Sequence, residues 1–578
     1  MIAKTIPEAF LESAKKFARK TALLYKRDNV YFPITYSQMA EKVKTLAVGM
    51  SKFGAQKGDR VAILSENRPE WAIADLATML LGGIVIPLHT TFSPQAISKI
   101  IEHSQAKIVI VANNNLLNKI LLSQNNLPYL EKIVLLERAA VEVEAWQDRI
   151  FYWEWLLAHN DSNFHNNALL RPDDVCSIVY TSGTTGEPKG VMLTHNNFLS
   201  NSQAVTEIVA VKPSDIFLSF LPLSHVLERL AGYYAPLLSG ATIAYAESIK
   251  QLSANLKEIK PTFLISVPRI FEKMYETIWE KAKTSELKKK IFLWALRQGK
   301  KGIGHYLADQ LVFKKIRKQL GGRLRLIVSG GAALNEKIAR FFLKIGLTVL
   351  EGYGLTETSP VVAVNREKDF KIGAVGKIVP RVEVKISSDK EILVKGPNVF
   401  KGYYKNQEET QLAFNENGWL KTGDLGFLDK DGFLTIIGRR KEMLVTSGGK
   451  NVWPEAVESE LSKDRFIASS IVLGNNRKFI GALIAPDWQK VEQFFKENNW
   501  PLQSPEQLVN SKMLIDLFQQ RLDEKVNPNL SEYEKIRAFK LLPRDFSQEQ
   551  GELTPTLKLR RHVIEQHYRL EIADLFGE

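Results

Sequence analysis

The stretch Tyr180-Thr181-Ser182-Gly183-Thr184-Thr185-Gly186-Glu187-Pro188-Lys189-Gly190 constrains this chain more than any other. It follows directly on a short apolar run, Cys176-Ser177-Ile178-Val179. Glycines let backbone N–H groups approach anionic oxygens closely and form a concave nest. The Ser and Thr hydroxyls add donors, and Lys189 adds a compact positive charge. The composition therefore suits a loop that wraps a polyphosphate. It is not a Walker loop, because Gly186 is followed by Glu187-Pro188 rather than by Lys and Ser or Thr. Gly449-Lys450 has that pair, but Leu444 and Asn451 stand where the motif needs Gly and Ser or Thr. A dinucleotide fingerprint is also missing, since Gly352-Tyr353-Gly354 meets Glu357 at the third glycine position.

At 578 residues the chain exceeds what one core supports, so two or more domains are expected. Hydrophobic residues make up 45% and charged residues 25%, ordinary values for a globular protein in water. Cys176 is the only cysteine, which rules out an intramolecular disulfide and implies a reducing compartment. The first residues lack the apolar core of a secretory leader, so the expected location is cytoplasmic, with peripheral attachment at the inner membrane face as an alternative. Leu76 to Leu88 is the best candidate for a membrane span, yet it is short and broken by Gly82-Gly83 and Pro87; it reads as a buried strand with a turn.

The net charge of +14 is concentrated. Between Lys281 and Arg325 fourteen Lys and Arg face only Glu286 and Asp309, a local net of +12. The same segment carries Ile291-Phe292-Leu293-Trp294 and Leu311-Val312-Phe313. Basic and large apolar residues together suit helices at an anionic membrane or a dock for an acidic protein; a solvated helical surface fits as well. No zinc-finger, RNP or basic-zipper pattern accompanies them, so no nucleic acid is expected.

Helical patterns alternate with short β-rich runs such as Arg60–Leu64, Lys107–Val111 and Leu324–Val328 through the first three quarters, which predicts α/β architecture with mainly parallel sheets. From Val375 to Ile437 short strands and tight turns predict a small β subdomain. The charged stretch Gly438-Arg439-Arg440-Lys441-Glu442 then marks a boundary. The expected organisation is a large N-terminal domain, 1–438, followed by a smaller mobile α/β domain, 439–578.

Four further strings follow the loop in order: Ser329-Gly330-Gly331-Ala332, Glu351-Gly352-Tyr353-Gly354-Leu355-Thr356-Glu357, Lys421-Thr422-Gly423-Asp424, and Gly438-Arg439-Arg440-Lys441 running on to Ser447-Gly448-Gly449-Lys450. A last one, Leu553-Thr554-Pro555-Thr556-Leu557-Lys558, lies near the C-terminus. Together they resemble the ordered motifs of the AMP-forming acyl-CoA synthetases and their adenylate-forming relatives. The resemblance implies ATP, Mg²⁺ and CoA as reactants and cofactor. Thr181, Ser182, Gly183, Thr184, Thr185, Gly186 and Lys189 would cradle the phosphates. Gly331, Ala332, Tyr353 and Gly354 would line the adenine, and Thr356 would contact the phosphate and the acyl carboxylate. Glu357 would bind the metal, with Thr181 as a second ligand. Asp424, reinforced by Arg439, would accept from the ribose hydroxyls. Lys558 would bridge the carboxylate and α-phosphate. Lys441 would be the hinge, and Ser447, Gly448 and Gly449 would line the thiol path.

Phe220-Leu221-Pro222-Leu223-Ser224-His225-Val226-Leu227-Glu228-Arg229 and the basic segment look like the long-chain fatty-acid branch. His225 would sit at the acyl channel, a packed core histidine being equally compatible. Some relatives place an aromatic gate where this chain has Arg229, so that gating does not carry over. The implied reaction is long-chain fatty acid–CoA ligation; transfer to acyl carrier protein is the alternative, and a lipid- or nucleic-acid-binding protein on the same scaffold is a different class.

Overall fold

The computed structural model describes residues 3–122, 127–138, 148–158, 169–182, 188–299, 301–554 and 557–578. The chain divides into two compact units: 1–385 with 393–422 and 428–435, and 386–392 with 423–427 and 436–578. The expected mixed α/β fold is present in both.

The first unit holds an eight-stranded sheet in the order Gly402–Tyr403, Pro188–Thr194, Val175–Ser182, Ile84–Leu88, Arg60–Leu64, Ile108–Val111, Lys132–Leu135, Ile150–Tyr152. Its inner pairs are parallel, with Ala62 aligned to Ile86 and Val109. Strands such as Ile108–Val111 are buried along their whole length, as parallel strands covered on both faces must be. A second, larger sheet includes, in order, Gly376–Ile378, Val361–Val364, Val349–Gly354, Leu326–Ser329, Phe263–Ser266, Ile216–Ser219, Thr242–Tyr245, Thr21–Arg27, Val30–Thr35. It is parallel from Val349–Gly354 to Thr21–Arg27 and antiparallel on either side of that run. Ser329 and Gly354 thus lie at the C-terminal ends of parallel strands, the edge where open α/β sheets hold their ligands.

Leu76 to Leu80 is helical, not strand: the helix Pro69–Leu80 runs into the turn at Gly82, and only Ile84–Leu88 is extended. Every one of the helix's twelve residues except Glu70 is buried, so no polar face recurs at helical spacing to distinguish it from a strand.

In the second unit, the strands Ile467–Leu473, Ile480–Pro486 and Ile536–Leu541 form a three-stranded sheet. Alternation along the strands assigns side chains to opposite faces. Val472, Ala482 and Ile484 pack with Val457, Leu461, Val491 and Phe518, whereas Ile471, Leu473, Leu483 and Ala485 pack with Ile564 and Leu575. Two cores on one central sheet make this unit a self-contained domain.

Candidate active site

In the first unit, Thr181 and Ser182 end the strand Val175–Ser182, with Thr181 opposite Lys189 and Ser182 opposite Pro188. Gly183, Thr184, Thr185 and Gly186 lie outside the described residues. The Lys189 ammonium is 2.5 Å from Glu409 Oε2 and 5.6 Å from the centre of the Tyr403 ring, so an acid already holds this cation.

Tyr353 and Gly354 close the strand Val349–Gly354, and Thr356 opens a single 3-10 turn, Thr356–Thr358. Gly354 is required by close approach, since a Cβ there would fall 1.7 Å from the Pro360 carbonyl oxygen. Glu357 Oε1 accepts a 2.9 Å hydrogen bond from the Tyr403 hydroxyl, and the Glu357 carbonyl accepts another from Phe400 N–H. Three buried asparagines fix this turn. Asn201 exchanges bonds of 2.7 and 2.9 Å with the Val361 backbone, Asn398 donates to the Thr358 carbonyl, and Asn197 donates to the Pro397 and Val399 carbonyls. Asn197 and Asn201 are rigidly presented by the helix His195–Ile208, which Thr194 and Asn197 start as a reciprocal cap. Neither Tyr403, Glu409 nor these asparagines stand out in the sequence; the aromatic pair Tyr403-Tyr404 after Gly402 is the only local signal.

Gly331 adopts φ of +89°, which favours glycine, and Ala332 beside it is exposed. A Cβ at Gly330 would press on Leu227, so this turn lies against the segment that carries His225. His225 is half-buried, and its Nδ1 accepts from the Leu227 N–H at 3.3 Å. Near it is His89, bonded at 2.6 Å to the Ser224 hydroxyl; burial, then His225, lower its pKa to about 3, so it is neutral at physiological pH.

Arg229 does not project as a gate. It is fully buried, and it donates to Asp75, to the Tyr234 hydroxyl at 2.9 Å and to Ser177 Oγ at 2.7 Å. Tyr234 donates to the other Asp75 oxygen at 2.8 Å. Its neighbour Glu228 is also fully buried, in a π-helical turn, Glu228–Tyr234, that needs Gly232 because a Cβ there would meet Glu228 Oε1 at 2.3 Å. Neither Glu228 oxygen has a hydrogen-bond partner of good geometry, and burial pushes the carboxyl up to about 8, with Ser219 drawing it partly back. Folded, Glu228 keeps its proton to about pH 8; unfolded, it loses it near its ordinary value of 4.5. The unfolded chain binds fewer protons in that window, so this residue's contribution makes stability fall as pH rises from about 4.5 to about 8. Glu228→Gln removes the slope. Its stability relative to wild type is expected to improve by about 1 kcal/mol per pH unit between pH 5 and 8, read by denaturant midpoints at each pH. A difference that stays constant across that range overturns the assignment.

In the second unit, Arg439 Nε lies 2.8 Å from Asp424 Oδ1, and Nη2 lies 3.4 Å from Oδ2. This fork orients a buried carboxylate midway along the strand Leu420–Leu428. Lys441 occupies the short turn Arg440–Glu442 and is exposed, while Arg440 pairs with Asp389. Ser447, Gly448 and Gly449 form the exposed tip between Leu444–Val445 and Asn451–Val452, with Gly449 at φ +69°. Leu553 and Leu559 form a bridge on either side of Lys558, whose N–H donates to Thr554 Oγ1 at 2.9 Å. Surrounding protein lowers the Lys558 pKa by desolvation first and Arg439 second, against Glu455, Asp424 and Glu442; solvent moderates the shift because the side chain is exposed. Lys558 therefore shares one electrostatic neighbourhood with the Asp424–Arg439 fork.

Among the described residues no cluster of three or more His, Cys, Asp or Glu is arranged to hold a metal, and no helix is long and apolar enough to cross a membrane. The donors at the Glu357 turn are a fixed carboxylate and neighbouring hydroxyls, hard oxygens of the kind Mg²⁺ prefers.

The chain is 35% identical to the long-chain-fatty-acid–CoA ligase FadD15 of Mycobacterium bovis over 96% of its own length and 94% of the relative's. It is 32% identical to the long-chain-fatty-acid–CoA ligase ACSBG2 of Rattus norvegicus, over 99% and 93%. The adenylation domain of a carboxylate reductase from Mycobacterium chelonae shares the fold, with a TM-score of 0.81 at 22% identity over 99% of this chain and 91% of that one. The AMP-binding enzyme profile matches residues 10–404 and that of the AMP-binding enzyme C-terminal domain matches 441–578. With both profiles met in order and relatives spanning nearly its whole length, the chain belongs to the AMP-binding enzyme family.

Proposed function

We propose that the protein is an AMP-forming long-chain fatty acid–CoA ligase. The observation that carries this reading is the whole-length likeness to proteins named for that reaction. In the first half-reaction a carboxylate oxygen of the fatty acid attacks the α-phosphorus of ATP, and pyrophosphate leaves. In the second the CoA thiolate attacks the acyl carbonyl, and AMP leaves.

The loop of Thr181, Ser182, Gly183, Thr184, Thr185 and Gly186, with Lys189, binds the phosphates in this reading. Lys189 must then leave Glu409, an exchange of one anion for another at the same cation. Gly331, Ala332, Tyr353 and Gly354 hold the adenine, and Asp424 with Arg439 holds the ribose. Thr356 orients the reacting carboxylate. Mg²⁺, held by Glu357 with Thr181, neutralises phosphate charge. Tyr403 keeps the Glu357 oxygen aimed before any ligand arrives, which limits reorganisation during the reaction. Lys558 stabilises charge between carboxylate and phosphate. His225 borders the acyl channel, and Ser447, Gly448 and Gly449 line the thiol path. The domains are 1–438 and 439–578, with rotation at Lys441 exchanging the Lys558 loop for the 447–449 tip. The lone cysteine, buried Cys176, suits a reducing cytoplasm.

The test supplies palmitate, ATP and Mg²⁺ with CoA or with phosphopantetheinylated acyl carrier protein, and reads the thioester by mass spectrometry alongside pyrophosphate. Palmitoyl-CoA is the expected product. Palmitoyl-carrier protein alone, or no palmitate-dependent pyrophosphate, overturns the reading.

A further inference from the structure

The +12 segment folds into helices that bury one set of apolar side chains and expose another. On the helix Glu286–Arg297, Phe292 and Ala295 face the protein, while Leu287, Ile291 and Trp294 form an exposed stripe at i, i+4 and i+7. The adjoining helical stretch from Ile303 to Phe313 buries Ala308 and Phe313 and exposes Ile303, Tyr306, Leu307 and Leu311, again at helical spacing. Exposure is greatest at Ile303, 81%, Leu287, 69%, Tyr306, 63%, and Leu311, 51%, while Leu307, Ile291 and Trp294 are 42%, 38% and 37% exposed. Lys288, Lys290, Arg297, Lys301, Lys314, Lys315 and Lys318 are exposed around them.

We propose that this paired-helix surface docks the protein on an anionic lipid bilayer, the apolar stripes entering the headgroup region and the lysines contacting the phosphates. Charge selects the occupant. A second copy would bring +12 against +12, and a neutral apolar partner would leave the lysines unmatched. Composition favours lipid over an acidic protein: ten of the fourteen cations are Lys, which protein interfaces disfavour, whereas lysine stems lie along apolar surface with the ammonium in the headgroups. The benefit rests on the fatty-acid reading above, because a long-chain acid partitions into the bilayer and docking shortens its path to the enzyme; the surface itself does not depend on it.

The experiment is flotation of the full-length protein with vesicles of phosphatidylcholine alone or mixed with phosphatidylglycerol, at low and high salt. Binding to the anionic vesicles is expected to be at least tenfold stronger than to the neutral ones at low salt. Lys288→Gln with Lys290→Gln, Lys314→Gln and Lys315→Gln should abolish that preference. Leu287→Ser with Ile303→Ser and Leu311→Ser should weaken anionic binding at least fivefold even at low salt, which simple charge attraction would not. All these positions are exposed, and turnover of octanoate with CoA in vesicle-free solution should be unchanged in both variants, which separates loss of docking from failure of the ligase reading. The proposal is overturned by no vesicle binding at low salt, by equal binding to both vesicles, or by anionic binding that the serine variant leaves undiminished; capture of acyl carrier protein that the glutamine variant abolishes would assign the surface to a protein instead.

Discussion

Lys558→Ala is expected to lower palmitate-dependent pyrophosphate release by roughly 10²–10³-fold, the range for removing one charge-stabilising donor from a reaction of this type. The N–H bond to Thr554 and the Leu553–Leu559 bridge hold the lysine's backbone, whose position therefore does not depend on the side chain being removed. Desolvation and then Arg439 disfavour the ammonium charge, and Glu455, Asp424 and Glu442 only partly oppose them. Alanine leaves the Asp424–Arg439 fork in place, so ATP binding should change little. Transfer from supplied palmitoyl-AMP to CoA should persist, because that half-reaction no longer needs charge placed between carboxylate and phosphate. A fall in kcat for the first step with a nearly constant KM for ATP is therefore the expected signature. Adenylation within about threefold of wild type would remove Lys558 from the chemistry and leave it a surface residue.

The positions of the loop and of Glu357 are legible in the sequence because each sits at the end of a short β-rich run followed by residues that only a close backbone approach explains. Gly354 bears this out, with no room for a Cβ beside Pro360. The strands Arg60–Leu64 and Ile108–Val111 are legible for the same reason: four or five consecutive apolar residues bounded by polar turns. Legibility fails where side chains meet from distant parts of the chain. Tyr403 reaches Glu357, Glu409 reaches Lys189, and Asn201 grips Val361, each across forty or more residues and with no local pattern to announce it. It fails also at Leu76–Leu80, where burial on all sides erases periodicity. The stripe Leu287–Ile291–Trp294 fails in the opposite sense. Its spacing is visible, but which face of that helix meets water is decided by Phe292 and Ala295 packing beneath it.

Arg229→Leu is expected to destabilise the first unit by about 3–5 kcal/mol, the cost of leaving one member of a buried ion pair unmatched. Asp75 would then be the stranded group. Burial already raises its pKa, opposed chiefly by Arg229 and next by the Tyr234 hydroxyl. The Arg229 guanidinium keeps its proton and so supplies the compensating charge. The network is structural rather than mobile. It joins the helix Pro69–Leu80 at Asp75 to the turn Glu228–Tyr234, and through Ser177 to the strand Val175–Ser182; Ser177 in turn donates to the Val85 carbonyl at 2.8 Å. Three aromatic faces, Trp71, Phe198 and Tyr234, lie 5.4–5.6 Å from the guanidinium carbon, which adds cation–π attraction in a desolvated site. Asp75→Leu alone should cost a similar amount by stranding Arg229. The double variant, Asp75→Leu with Arg229→Leu, should recover a large part of either loss, because two apolar side chains then replace two charges and nothing is left uncompensated. Denaturant midpoints of the four proteins give the coupling directly. If the two single losses simply add in the double variant, the pair is not coupled; Arg229 would then be free to move, and a gate at this position would again be open to it.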